Sequence, residues 1–216
     1  GQVIAALTEE ATNNFYVISP TAVLLVTDTD YEPASALDYM DGYHILSKRD
    51  SGQFFITGIL APSTIDALDF ASAEARPDNI RRPFPFNDAL NILGEKTLAP
   101  FHDSGAADFP FEPIPGTTST NRGCGAKHSV VAEDNTFYFY GDDGIFYKMN
   151  GYAPERISTH AIEDIISKLT RKDDLFGFVF TQIGHKFVHW TNAEITIVYD
   201  PASGEWHRRE TRGLTR

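Results

Sequence analysis

Short apolar runs separated by turn residues set the grammar of the second half of the chain. Ser129 to Ala132 ends at Asp134-Asn135, Thr136 to Tyr140 ends at Gly141-Asp-Asp-Gly144, and Ile145 to Met149 ends at Asn150-Gly151. Each run is about one sheet-width long, and Asp-Gly and Asn-Gly tolerate the positive φ of tight hairpins. The spacing therefore predicts an antiparallel meander. A second series repeats it with Leu175 to Gln182, Lys186 to Trp190, Ile195 to Tyr199, and Glu205 to Arg209 after Asp200-Pro-Ala-Ser-Gly204. Sets of four strands recurring at roughly 40–50 residues are the signature of propeller blades. A single sandwich satisfies the same pattern, because closure is not written in the sequence.

Between the two series the period changes. From Ser158 to Leu169, Ala161, Ile162, Ile165, Ile166 and Leu169 recur at helical spacing, predicting an amphipathic helix on the side of a blade. Ser158 or Thr159 is its natural N-cap, Glu163 and Asp164 complement the helix dipole, and Lys168, Arg171 and Lys172 complete the charge pattern. The first half is less regular. Ala22 to Thr27, His44 to Lys48 and Gln53 to Ile59 read as strands, whereas Pro85 and Pro100 put the pairing of the segments around them in doubt. Residues 103–121 read as one long loop. The fold class expected is all-β, a β-propeller-like array of antiparallel meander blades with one packed amphipathic helix. Residues 1–216 are expected to form one propeller core, itself a portion of a longer subunit because the chain enters at once into Gln2-Val-Ile-Ala-Ala-Leu7.

Composition supports strands: 16 Phe and 9 Tyr stand against 2 Met, and aromatic side chains favour sheets. Thirty acids and 18 bases give a formal net charge of −12, which argues against gripping nucleic acid through its phosphates. Positive charge gathers at Arg208, Arg209, Arg212 and Arg216, read as a solvated tail. One cysteine, Cys124, forms no intrachain disulfide, and no apolar run approaches a membrane span. A soluble protein made in a reducing cytoplasm fits both.

Candidate chemistry is sparse. Asp142 and Asp143 with Asp134 resemble a hard-cation cluster, yet Asp-Asp-Gly is ordinary hairpin chemistry and no full ligand series follows. Cys124 lies four residues from His128, with His160 farther on, but a cysteine between Gly123 and Gly125 reads better as a small residue in a tight backbone passage. Of His102, His185, His189 and His207, only His185 and His189 would share a strand face. Gly94-Glu-Lys96 lacks the spacing of a phosphate loop. The residues thus indicate no catalytic, cofactor or metal site. Carboxylates from different blades acting as a glycoside hydrolase, and a propeller module binding a receptor, glycan or partner protein, remain as alternatives.

Seven segments in order carry a family resemblance: Asp38-Tyr-Met-Asp-Gly-Tyr43, Ser51-Gly-Gln-Phe-Phe-Ile56, Ala67 to Glu74 with Pro77-Asp78, Asp108-Phe-Pro-Phe-Glu112, Arg122-Gly-Cys124, Asp142-Asp-Gly144, and Arg156-Ile-Ser-Thr-His-Ala-Ile-Glu163. The chain resembles the tail-hub or nozzle proteins of short-tailed phages, the packaged DNA stabilisation family, over roughly residues 28–207. The resemblance implies a non-enzymatic virion protein, assembled in the host cytoplasm as a hexameric ring with a propeller in each subunit. It implies portal and adaptor proteins above, a tail needle and spikes or fibres below, double-stranded DNA sliding through without specific binding, and no cofactor. Its structural motif residues here are Arg122, Gly123, Cys124, Asp142, Asp143, Gly144, Arg156, Ser158, Thr159 and Glu163.

Overall fold

The computed structural model describes residues 5–9, 12–73, 78–117 and 120–210. It divides into two compact units, Gly1–Asn121 and Arg122–Arg216. Among the described residues of the first unit are three antiparallel meanders: β1 (Ala5–Glu9) to β3 (Val23–Leu25) by way of β2 (Asn14–Ile18); β4 (Ala34–Met40), β5 (Tyr43–Lys48), β6 (Gln53–Gly58) and β7 (Ala61–Ser72); and β8 (Ile80–Phe86), β9 (Ala89–Gly94), β10 (Leu98–Asp103) and β11 (Phe111–Pro113). The second unit holds β12 (Val131–Glu133), β13 (Thr136–Tyr140), β14 (Phe146–Asn150) and β15 (Ala153–Arg156), then α1 (His160–Ser167), then β16 (Phe176–Gln182), β17 (His185–Thr191), β18 (Thr196–Asp200) and β19 (Glu205–Arg208).

Local chemistry sets the hairpins. Asp41 and Gly42, at φ 51° and 96°, turn β4 into β5, and the left-handed Asp134 and Asn135 turn β12 into β13. Every ladder joins chain neighbours and is antiparallel.

Within the first unit the middle sheet is covered on both faces. Leu46, Phe55 and Ile65 meet Phe15 and Val17 of the first sheet and Val26 just beyond it. Ile45, Phe54 and Ile56 on the opposite face meet Leu90, Ile92, Phe101 and Phe111 of the third. That is why β5 and β6 read as continuous apolar runs rather than alternating ones. The first strands β1 and β4, and β4 and β8, lie side by side, as do β12 and β16 in the second unit. Such an arrangement is that of propeller blades.

A core of the second unit has Tyr138, Tyr140 and Phe146 facing Val188, Trp190, Ile197 and Tyr199 while α1 contributes Ile162 and Ile166. Trp190 and Trp206 stack at 5.6 Å, and Phe146 lies 4.6 Å from Trp190. The Trp190 indole N–H donates to the Ser129 carbonyl at 2.8 Å, so its polar edge is satisfied inside the core.

Three readings of the sequence are corrected. The segments around the prolines do pair: Pro83 and Pro85 sit on β8, the edge of its sheet, where a missing N–H costs no ladder bond, and Pro100 on β10 still offers its carbonyl to Ile114. The loop of residues 103–121 contains β11. In α1, Ala161 is exposed while Ile162 and Ile166 are buried; Lys168 and Arg171 pair with Asp164 and Asp174 instead of complementing the helix end. Arg212 and Arg216 of the basic tail, and Glu74 and Pro77 of the connector, lie outside the described residues.

Candidate functional site

The motif residues converge, within the second unit, on two polar clusters. In the first, the strand-like passage 122–126 runs back against the turn between β13 and β14. The Gly123 N–H donates to Asp142 Oδ1 at 2.9 Å, the Asp142 N–H donates to the Gly123 carbonyl at 3.0 Å, and the Gly125 N–H donates to the Tyr140 carbonyl at 2.8 Å. A bridge joins Cys124 to Gly141. The approach is close enough that a Cβ on Gly125 would lie 2.6 Å from the Gly141 carbonyl oxygen. Gly144, at φ 85°, closes the turn by donating to the Gly141 carbonyl.

Asp143 is the hub of this turn. Its Oδ1 accepts the Ile145 N–H, and its Oδ2 accepts the Tyr147 hydroxyl at 2.6 Å and lies 3.5 Å from Arg122 Nε. The Arg122 guanidinium also sits 5.9 Å from the centroid of the Tyr147 ring. Burial, and then the hydrogen bond and charge of Asp143, push the Tyr147 phenol up to about 12. The adjacent carboxylates thus point to different partners, and Asp134 meets Lys186 at 2.7 Å instead. Among the described residues no group of three His, Cys, Asp or Glu side chains is placed to hold a metal. Cys124 is buried, with its thiol donating to the Ala126 carbonyl at 3.0 Å, while the His128 ring faces Phe176.

The second cluster bolts α1 to its preceding strand. Arg156 grips Glu163 with two parallel bonds, Nε to Oε1 at 2.9 Å and Nη2 to Oε2 at 2.7 Å. The Ser158 hydroxyl donates to Glu163 Oε1 at 2.7 Å and accepts the buried N–H of Phe146 at 3.1 Å. Of the two capping candidates Thr159 is the N-cap, its side chain accepting from the Ile162 N–H, and Ser158 links helix to sheet. His160 joins the rim, its Nδ1 3.1 Å from Arg156 Nη2.

Two anchors, one opening a predicted strand run and one closing a resemblance segment, have bonding roles that the sequence does not show. Ser129 accepts the Tyr140 N–H on its hydroxyl and donates to the Ala126 carbonyl while its own carbonyl takes Trp190. In the first unit, Asp78 Oδ2 accepts the Lys96 N–H, the Thr97 N–H and the Thr97 hydroxyl, each at 2.8 Å. Single serines and aspartates at loop positions look alike until the fold shows which backbone donors they meet. His185 and His189 do share a face of β17, and burial, followed by the charge of Arg209, holds the His189 imidazole below its ordinary value.

Four-stranded meanders stacked face to face, with first strands side by side, define a protein of the β-propeller class. The chain belongs to the family described as "Bacteriophage P22 Gp10, beta-propeller", whose model matches residues 3–206. It is accordingly a phage structural protein and a component of the virion. None of the curated proteins compared with it matches. Solved structures share the fold at low identity. The dihydro-heme d1 dehydrogenase NirN, in complex with DHE, aligns with a TM-score of 0.57 at 11% identity over 97% of this chain and 47% of its own. An exported protein of Bacteroides fragilis aligns with a TM-score of 0.52 at 10% identity over 97% of this chain and 69% of its own. The extracellular domain of a hybrid two component system of B. thetaiotaomicron gives 0.52 at 10% identity over 95% of this chain and 27% of its own. The chain thus spans from about a quarter to about two thirds of the length of these structures. No helix among the described residues is long and apolar enough to cross a membrane.

Proposed function

We propose that the chain is part of a tail-hub, or nozzle, subunit that completes the DNA-filled head, prevents genome leakage and connects portal and adaptor to the tail tip. The observation that carries this reading is the family match across residues 3–206. In this reading residues 1–216 belong to one propeller core and the subunits close a hexameric ring. The ring meets portal and adaptor proteins on one side and the tail needle with spikes or fibres on the other. A net charge of −12 supports a lumen that repels phosphates, through which the duplex slides without specific binding. In this reading the family residues, whose clusters brace loops against strands, have a structural role, with no catalysis and no cofactor. Electron-microscope class averages of the full-length protein with its portal complex test the reading. Sixfold rings beneath the portal are expected; particles that never join the portal overturn it.

A further inference from the structure

Of the asparagines in the chain, only Asn150 precedes a glycine. Asn150 ends β14, and Gly151 with Tyr152 makes the turn into β15, closed by the pairing of Asn150 with Ala153. Of the two turn residues only Gly151, at φ 61°, has a positive φ, the pattern of a tight hairpin with glycine at its first central position. Asn150, Gly151, Tyr152 and Ala153 are all exposed, and a Cβ added at Gly151 would meet nothing within 4 Å. Among the described residues no hydrogen bond holds the Asn150 carboxamide or the Gly151 N–H.

Comparable positions elsewhere are held. Asn91 is buried and its amide donates to the Phe84 carbonyl; the Asn192 amide donates to the Arg171 carbonyl while its Oδ1 accepts the N–H groups of Glu194 and Ile195. The Asp-Gly turns are restrained as well. Asp143 accepts from Ile145 and Tyr147 while the Gly144 N–H donates to the Gly141 carbonyl, and a Cβ on Gly42 would lie 2.9 Å from Ile59 Cγ1, so that Ile59 covers the peptide after Asp41. Only the β14–β15 tip combines a primary amide free to rotate, a peptide nitrogen whose own residue has no Cβ to obstruct its approach, and open access for water.

We infer that Asn150 is a site of spontaneous covalent modification, converting by hydrolytic deamidation to aspartate and isoaspartate. The Gly151 amide gives up its proton and its nitrogen attacks Asn150 Cγ. The new N–Cγ bond forms as the Cγ–Nδ2 bond breaks, and Nδ2 leaves as ammonia carrying the proton. Water then opens the cyclic imide: attack at one carbonyl restores the main chain with an aspartate side chain, and attack at the other leaves the chain running through the former side chain. Nothing is oxidised or reduced, and water is the one co-reactant. Asn150 must leave its extended backbone briefly for the nitrogen to face Cγ, and the last rung of a hairpin at the sheet edge is where such opening costs least.

Both products add a negative charge to a chain that already carries −12. Isoaspartate also adds a methylene to the main chain, at the point where a two-residue loop fixes the register of β14 on β15. Since β15 ends at Arg156, which grips Glu163 of α1, a disturbed register reaches the anchor of the helix. This chemistry is independent of the tail-hub reading.

Peptide mapping by mass spectrometry of the folded chain, aged in mildly alkaline buffer, tests the site. The peptide holding Asn150 should gain about 1 Da, the difference between a carboxamide and a carboxyl, before any other asparagine converts. Conversion should quicken with rising pH, because the nucleophile is the deprotonated amide, and Asn150→Gln, which would have to close a larger ring, should stay unmodified. Hydrogen exchange should then show protection of residues 153–156 lost in the isoaspartate fraction but kept in Asn150→Asp, which carries the charge without the extra methylene. An Asn150 that keeps its amide in the folded chain, or converts only after denaturation, overturns the site. Equal protection of β15 in the isoaspartate form and the parent overturns its effect on the helix anchor.

Discussion

In the first unit a sheet of aliphatic residues and phenylalanine is held between two others, whereas in the second unit the two described sheets enclose a core filled by two tryptophans and a helix. Larger side chains fill that core: a tryptophan buries more apolar area than any residue of the first unit can, provided that its N–H finds a partner. The polar bracing differs in the same sense. The first unit fixes loops by carboxylates on backbone donors, as at Asp78 and at Asp28, which accepts the Ile65 N–H. Both units hold arginine–carboxylate pairs, Arg82 with Asp38 in the first among them; in the second, those at Arg122 and Arg156 hold a passage and a helix outside the sheets.

The contrast can be broken most sharply at Trp190. Its replacement by alanine empties the centre of the core between β12–β15 and β16–β19 and orphans the Ser129 carbonyl. A loss of about 3–5 kcal/mol is expected in chemical denaturation. Next comes Asp78→Ala in the first unit, which leaves the buried Thr97 without an acceptor for its N–H and hydroxyl and should cost about 2 kcal/mol. In the second unit Ser158→Ala strands the buried Phe146 N–H, at about 1–2 kcal/mol, whereas Thr159→Ala removes only a long capping bond, at about 0.5–1 kcal/mol. Equal losses at these two positions would show that Ser158 merely caps.

The smallest effect is in alkali. Burial first, then neighbouring acidic groups, push the phenols of Tyr138 and Tyr147 up from 10.0 to about 12. A raised folded value means that the native state keeps its phenolic protons where the unfolded chain loses them. The stabilisation is therefore fully present below pH 10 and is lost as the pH climbs toward 12. Denaturation midpoints from pH 9 to pH 12 should fall, and Tyr147→Phe should flatten the decline.

Much of this architecture is legible in the residues. The strands of the second unit announce themselves because their turns use Asp, Asn and Gly at positions of positive φ, and because β13 and β14 are one sheet-width long. The first unit is harder to read, since a sheet buried on both faces loses the alternation that marks a strand, and the prolines of β8 look like breakers until the strand is seen to be an edge. The ten motif residues were recognisable by resemblance, but their grouping was not. Asp143 and Arg122 are far apart in sequence, and only the return of residues 122–126 to the β13–β14 turn brings them together. The bonds of Asp78 and Ser129 depend wholly on such returns.

Connectivity by hairpins between chain neighbours has a consequence for synthesis. Each sheet draws its ladder partners from a single stretch of chain, so a ribosome delivers a whole sheet before the next begins. Strand pairing then proceeds in the order of translation with little loop-closure entropy to overcome, and a mispaired register stays confined to one meander.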